Sequence, residues 1–378
     1  MTALQENFHI VHILLSDSWG GLEIYSLDFI AKLRSAGLHS SLLCKPNTPV
    51  HSGALARQIP LVDSQALRAK TTTHLHVHKR QNLPWVRWQI IGRDLPVFYS
   101  LYMSSRPKKD PYHRWIYSRL SGLASSAAWV CHRVEKDYPL APNKVHLIRY
   151  GRNPAPIGLS PTERNSFRQS QGANPQQRVL LSLSRIDPGK GVGELVRAFA
   201  GLPVALRSQW QLWIVGDPSR QGTTPSGEPV FEPASVELLR VLQLQCQSPE
   251  LQKHIRLFSF QNNPLPFLLS ADLFFMGALE ETYSLAVIDA MLSGLPILGA
   301  HSGGTIEQIG NQEERGFFFR TDSLTDLQDQ LTRLSEESHD KFAEKGQVAR
   351  SWAQSQHSWD TCIGHWKELY VQSQMQGT

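Results

Sequence analysis

The chain has 378 residues, 41% of them hydrophobic and 19% charged, with a formal net charge of +5. This composition excludes a disordered chain, and the length exceeds one ordinary hydrophobic core, so two domains are expected. No run of about 18 apolar residues occurs, which excludes a membrane-spanning helix.

Cys44, Cys131, Cys246 and Cys362 are scattered and form no CxxC pair, which argues against a zinc site or a disulfide framework. The start, Met1 to Glu6, has neither the basic residues nor the apolar core of a signal peptide, so a cytoplasmic location is expected. Charge is uneven. Residues 1–150 hold 19 Lys and Arg against 9 Asp and Glu, and the remainder holds 19 against 24. A basic half beside a mildly acidic half points to a polyanionic partner such as nucleic acid, an anionic membrane surface or a phosphorylated glycolipid, unless the charge merely solubilises.

In chain order, Ile10–Leu15 reads as a strand, Gly20-Gly21 as a loop, Leu22–Ala36 as a helix and Ser40–Cys44 as a strand. Short strands follow at Leu75–Val77 and Val97–Leu101, with a helix around Trp85–Ile91 between them. Trp115–Ser125 reads as helix, Ala128–Cys131 and Val145–Ile148 as strands. From Arg152 to about Gln177 the chain is rich in Pro, Ser, Asn and Gln and reads as an interdomain linker. A second alternating series then runs through Val179–Leu183, Gly193–Gly201, Trp210–Val215, Val236–Gln245, Ile255–Phe260, Leu265–Ser270, Leu273–Met276, Ser284–Ser293 and Pro296–Ala300. Gln221 to Pro229 reads as a mobile loop, and residues from about Ser335 to Gln374 as helical. Such alternation implies two doubly wound α/β domains, with ligands beyond the carboxyl ends of the strands.

Several segments carry chemistry. Trp19-Gly20-Gly21-Leu22-Glu23 joins a strand to a helix, where glycine lets backbone amides approach a phosphate; a plain tight turn would look the same. It is not GxGxxG, which counts against a dinucleotide oxidoreductase. His74, His76 and His78 alternate along a strand and share one face, with no carboxylate or cysteine nearby to complete a metal set. Arg106 to Arg114, with Lys108, Lys109 and His113, is a basic loop beside Trp115, and Trp85, Arg87, Trp88 and Arg93 form a second basic-aromatic patch. Neither carries a base-stacking or groove-reading motif, so no nucleic-acid partner is expected. Arg185 and Lys190, on a strand-to-helix loop, can grip one diphosphate, the Arg as a fork and the Lys as a point charge. Glu281 and Asp289 stand just before and inside a helix, where carboxylates can accept bonds from hydroxyls while the helix start receives a phosphate.

The run Glu281-Thr-Tyr-Ser-Leu-Ala-Val-Ile-Asp289, continuing through Ala290-Met291 to Gly294-Leu-Pro296, resembles the donor-site signature of family 4 glycosyltransferases, retaining enzymes of the GT-B fold. Asp289 stands where the family has Glu, and Ser284 where Gly is usual. Ser184-Arg185 to Lys190-Gly191, Gly20-Gly21-x-Glu23 and His301 to Glu307 are similar to further elements of that family. The resemblance implies an N-terminal acceptor-binding domain over 1–160, a linker over 161–177, a donor-binding domain over 178–355, and a final helix over 356–378 crossing back to the first domain. The two domains would face across a cleft.

By the same resemblance Arg185 and Lys190 hold the donor pyrophosphate, and Glu281 with the amides of Tyr283, Ser284 and Leu285 meets sugar and phosphate. Asp289 meets ribose, Gly20, Gly21 and Gly216 lie near the donor, and 301–307 closes the site. Tyr102 stands where many members carry a sugar-contacting His, and Lys108, Lys109 and His113 fall on the acceptor side. The implied activity is transfer of a sugar from a nucleoside-diphosphate-sugar to a glycan or glycolipid hydroxyl, in envelope polysaccharide or lipopolysaccharide synthesis. Neither metal nor cofactor is expected, and peripheral contact with the cytoplasmic face of the membrane fits the basic half. A sugar-nucleotide epimerase or hydrolase, or a degenerate sugar-nucleotide-binding protein, remains an alternative.

Overall fold

Two stretches of strongly apolar, alternating elements each close into a parallel sheet. The structure, a computed structural model, describes residues 8–103, 109–155, 158–224 and 228–375. The chain divides into two compact units, the first formed by Met1–Gly151, Gly222–Pro229 and His357–Thr378, the second by Arg152–Gln221 and Val230–Gln356.

The first unit carries β1 (His9–Leu14), β2 (His39–Cys44), β3 (His74–Val77), β4 (Val97–Ser100), β5 (Leu120–Ser125) and β6 (Val145–Leu147). They pair in parallel in the order β2-β1-β3-β4-β5-β6. Helices α1 (Gly21–Ser35), α2 (Pro49–Ala56), α3 (Leu83–Gln89), α4 (Pro111–Tyr117) and α5 (Ala128–Asp137) connect them. Strand order reverses between β1 and β3, so the loops leaving those two strands splay apart and open a crevice at their carboxyl ends.

The second unit begins with α6 (Pro161–Ser170) and continues with β7 (Arg178–Leu183), α7 (Val192–Ala200), α8 (Val204–Arg207) and β8 (Trp210–Val215). In chain order the paired strands β9 (Arg220–Thr223) and β10 (Pro229–Phe231) come next, with Gly222–Pro229 counted in the first unit, and the second unit resumes with α9 (Pro233–Cys246) and β11 (Ile255–Phe258). Next come α10 (Leu265–Ser270), β12 (Leu273–Met276), α11 (Leu285–Leu292), β13 (Ile297–Ala300), α12 (Gly303–Ile309) and β14 (Gly316–Phe319). The order β11-β8-β7-β12-β13-β14 is that of a Rossmann sheet, with its reversal between β7 and β12. Leu195, Phe199, Trp210, Leu212 and Phe275 lie in its buried core. Helices α13 (Leu324–Glu336), α14 (His339–Gln356) and α15 (Trp359–Met375) complete the chain. Within the first unit, α15 buries Trp366 and Tyr370 against Phe29, His76 and Phe98.

Four expectations are corrected. Residues 115–125 are not one helix: α4 ends at Tyr117 and β5 begins at Leu120, where Gly122 packs against the Phe98 ring so that a Cβ would stand 3.0 Å from it. Residues 128–131 open a helix rather than a strand, with Val130, Cys131 and Val134 buried at helical spacing. The expected linker contains α6, whose start is secured by a reciprocal Ser160–Glu163 capping box and Pro161. The expected loop at 221–229 is shorter than read, since β9 runs to Thr223 and β10 begins at Pro229; residues 225–227 lie outside the described residues.

Candidate functional site

The loops leaving β7 and β12 meet at the strand-order reversal of the second unit. After β7 the chain is pinned by the Ile186 amide donating to the Asp217 carbonyl at 2.9 Å. The Asp187 carboxylate then accepts from the Gly189 amide at 2.8 Å and the Ser219 hydroxyl at 2.8 Å. Burial works against its ionisation, yet those bonds hold the Asp187 carboxyl below its ordinary range. Gly191 has φ +73°, and a Cβ there would stand 2.5 Å from the Gly277 carbonyl oxygen, so only glycine lets the two loops pass. Across this contact Lys190 Nζ donates to Glu281 Oε2 at 2.9 Å, with the side chains 24% and 14% exposed. Arg185 stands exposed on the same loop. Gly216, with φ +153°, brings the β8 loop against the Ser184 carbonyl, which a Cβ would approach to 1.9 Å; this glycine has a packing reason of its own.

Ser284 caps α11 by accepting from the Val287 amide at 3.3 Å. Its own amide is already spent, donating to Gln308 Oε1 at 3.0 Å, while Gln308 Nε2 donates back to the Ser284 carbonyl at 2.9 Å. The expectation that this amide meets a donor is therefore corrected: a buried glutamine holds it. Tyr283 is buried, and Leu285 opens the first helical turn, whose amides have no carbonyl four residues back within the helix. The 301–307 turn leans on the same loop, the Gly304 amide donating to the Glu281 carbonyl at 2.8 Å and the Ser302 hydroxyl to the Leu279 carbonyl.

Asp289 is not a free carboxylate. Arg152 grips both its oxygens, with Nε 2.7 Å from Oδ1 and the second contact between a terminal guanidinium nitrogen and Oδ2. A bidentate fork leaves each carboxylate oxygen a lone pair for a hydroxyl but stops the side chain from swinging. Arg152 and Gln308 are partners that sequence spacing did not disclose. Arg152 lies 137 positions from Asp289, in a Pro-rich stretch with no periodic signal.

In the first unit, Gly20 and Gly21 follow β1 at its own reversal point. Gly20 is extended (φ −171°), a conformation open to any residue. Behind it the buried Glu23 accepts from Ser16 Oγ at 2.8 Å and pairs with Lys79 at 3.3 Å, a cluster in which Lys79 was not foreseen. His74, His76 and His78 share one face as expected, and all are buried. His12 Nδ1 lies 3.0 Å from His78 Nε2, His76 Nδ1 is 2.7 Å from Tyr370 Oη, and His76 Nε2 is 2.8 Å from Ser100 Oγ. Burial keeps these rings neutral, pushing His74 down to about 4 and His78 to about 3.

Among the described residues, His12, His76 and His78 are the group whose ligand atoms, within 4.8 Å of one another, could hold a metal. Five of their six ring nitrogens already have partners and no carboxylate joins them, so a buried divalent charge would lack compensation.

Tyr102 directs its hydroxyl to His78 Nδ1 at 2.9 Å and stacks on Tyr150, so its polar end is committed inward. Burial raises its pKa well above the ordinary tyrosine range, keeping it a phenol. Lys109 is exposed at the approach to α4, His113 is tied to Asp110 at 2.8 Å, and Lys108 lies outside the described residues. The acceptor-side candidates thus split between the histidine stack and α4. The two basic-aromatic patches join, with the Arg87 guanidinium 4.6 Å from the Trp115 ring centroid, Trp88 5.4 Å from Trp115, and Trp88 60% exposed.

Residues 163–350 match the family described as glycosyl transferases group 1. The lipopolysaccharide glucosyltransferase WaaG of Escherichia coli (strain K12) is 27% identical over 166 residues, 43% of this chain and 39% of that protein. The lipopolysaccharide 1,2-N-acetylglucosaminetransferase of Salmonella typhimurium is 27% identical over 235 residues, 61% of this chain and 55% of that one. The chain thus spans about half the length of the curated relatives it matches. Anabaena HepE, crystallised in complex with UDP, superposes with a TM-score of 0.82 at 17% identity over 97% of this chain and all of the other. The same protein was crystallised with UDP-glucose, at a TM-score of 0.79 over 96% of this chain and 99% of that one. At that identity the likeness shows the fold, and the fold is GT-B.

Proposed function

Because residues 163–350 belong to the glycosyl transferases group 1, we propose that this protein transfers a sugar from a nucleoside-diphosphate-sugar to a hydroxyl of a glycan or glycolipid, with retention at the anomeric carbon. The observation that carries the reading is the Lys190–Glu281 pair at 2.9 Å, which joins a cation and a carboxylate 91 positions apart at the reversal point of a Rossmann sheet. An ammonium has three donors, so Lys190 can keep Glu281 and still donate to a phosphate. With Arg185 it offsets the charge that grows on the departing diphosphate. This supply of positive charge is why the proposal includes no metal.

The anomeric carbon–oxygen bond to the diphosphate breaks as the acceptor oxygen bonds to that carbon from the same face. The acceptor's proton passes to the departing phosphate oxygen, so no covalent nucleophile is required. Glu281 accepts bonds from the sugar hydroxyls. Asp289, held by Arg152, presents its remaining lone pairs to ribose.

UDP and UDP-glucose occupy HepE, which makes UDP-sugars the first donors to try. The lipopolysaccharide transferases among the relatives favour an envelope glycan as acceptor. No helix among the described residues is long and apolar enough to cross a membrane. The Trp88, Tyr112 and Arg87 surface suits peripheral contact with anionic headgroups at the cytoplasmic face.

The test is thermal stabilisation by UDP-, GDP- and ADP-sugars, followed by diphosphate release with and without membrane extract. Acceptor-dependent release that disappears in Lys190→Ala supports transfer. Release indifferent to acceptor would assign hydrolysis instead, and wild-type turnover in Lys190→Ala would remove the assignment.

A further inference from the structure

The first unit holds a cavity of about 460 Å3 that the donor-site residues do not touch. It lies at the carboxyl ends of the sheet: Leu15 directly follows β1, and Cys44 ends β2. His51 reaches it from α2, Asp63 and Ser64 from the start of a short 3-10 turn, and Trp85 from α3. Its size falls within the range of small-molecule sites, roughly 300–1,000 Å3.

The polar side chains of this lining hold unspent capacity. Asp63 Oδ1 accepts from the Gln65 amide at 2.8 Å, while Oδ2 has no hydrogen bond or ion pair among the described residues. The Ser64 hydroxyl, the His51 ring and the Trp85 indole N–H likewise bond to no other described residue; the three residues line the cavity with Asp63, where Asp63 and Ser64 are open to solvent and His51 and Trp85 half-buried. The Cys44 thiol, pushed up to about 11 by burial, stays neutral. No Lys or Arg lines the cavity, and Lys45 beside it is paired with Asp17. The one formal charge on the lining is the Asp63 carboxylate.

We propose that this cavity is a binding site for a neutral saccharide unit, and, resting on the glycosyltransferase reading, that the unit belongs to the acceptor. A pyranose presents an apolar C–H face, which fits the indole of Trp85, and a rim of hydroxyls. Those hydroxyls can satisfy a carboxylate oxygen, a serine, an imidazole and an indole N–H together. A phosphorylated sugar would bring its charge against Asp63 with no cation on the lining to offset it. An acyl chain would strip water from four polar groups and replace none of their bonds. The basic surface elsewhere on this unit therefore does not set the chemistry of this cavity.

The experiment is saturation-transfer NMR on the full chain with methyl glycosides of glucose, galactose, mannose and N-acetylglucosamine, with glucose 6-phosphate and octanoate as comparators. At least one neutral glycoside should bind, and glucose 6-phosphate should bind about tenfold more weakly than methyl glucoside if that glycoside is the one held. Asp63→Asn keeps the cap on the 3-10 turn, since asparagine also caps well, and Trp85→Leu keeps apolar bulk without the flat ring. Each should weaken the bound glycoside about tenfold while the thermal melting point stays near wild type. The proposal is overturned if no neutral glycoside binds, if the phosphorylated sugar or octanoate binds best, or if both variants bind as wild type does. UDP titration of the wild-type chain runs in parallel. Failure there removes the donor reading but leaves the saccharide result to stand or fall alone.

Discussion

At the scale of single residues, the segments proposed to hold the donor prove to be a set of side chains already committed to one another. Lys190 holds Glu281, Arg152 holds Asp289, and Gln308 holds the backbone of Ser284. The Lys190 pair is partly exposed, so Lys190→Ala should cost less than about 1 kcal/mol of stability. Diphosphate release should nevertheless fall about a hundredfold or more, because the lost charge acts on the leaving group; denaturant titration beside steady-state kinetics measures both. Arg152 acts through Asp289, so Arg152→Ala should raise the donor KM while kcat changes little. A double-mutant cycle with Asp289→Ala should show coupling of about 1–3 kcal/mol in stability. Independent effects of the two substitutions would dissolve the pair as a unit.

Among elements, α15 deserves its aromatic residues for a structural reason. Trp366 lies 4.4 Å from the His76 ring, and Tyr370 donates or accepts at His76 Nδ1 over 2.7 Å, closing a polar network inside the first unit. Tyr370→Phe keeps the ring but strands a buried imidazole nitrogen, a cost of about 1–3 kcal/mol readable by urea unfolding. An unchanged unfolding midpoint would show that His76 finds another partner. The misread elements fall at this scale too. Small residues in β5 and the short apolar start of α5 give weak local periodicity, and packing against Phe98 and β6 decides their state. By contrast β7, β8, α7 and α11 carry clear apolar runs, α11 with Ser284 as its cap, and their local pattern agrees with their tertiary place.

For the whole molecule, the histidine stack makes stability depend on pH. Burial lowers the folded-state values of His12, His74, His76 and His78, with His74 at about 4 and His78 at about 3. Below about 6.5 the unfolded chain binds protons that the folded chain refuses, so stability is full above that value and falls as the pH drops. Each such histidine contributes a slope of about 1.4 kcal/mol per pH unit until its folded value is reached. Calorimetric melting from pH 7 toward pH 4 should therefore show a steep decline in Tm, reduced in His78→Asn if that variant folds. A flat Tm profile across that window would contradict the neutral stack.

The alternating apolar strands and helices, the two-domain length and the residues of the Arg185–Lys190 and Glu281–Asp289 segments were legible in the chain itself, because local pattern and loop chemistry are written over a few adjacent positions. Tertiary structure alone decided which of those groups meet. The reversal of strand order between β7 and β12 brings Lys190 to Glu281, and the chain path returns Arg152 to Asp289. The cavity at the ends of β1 and β2 likewise gathers His51 and Asp63 from the β2–β3 connection and Trp85 from the β3–β4 connection. Contacts between positions tens to more than a hundred residues apart leave no periodic trace, so the charge partners and the shape of the pocket had to come from the fold.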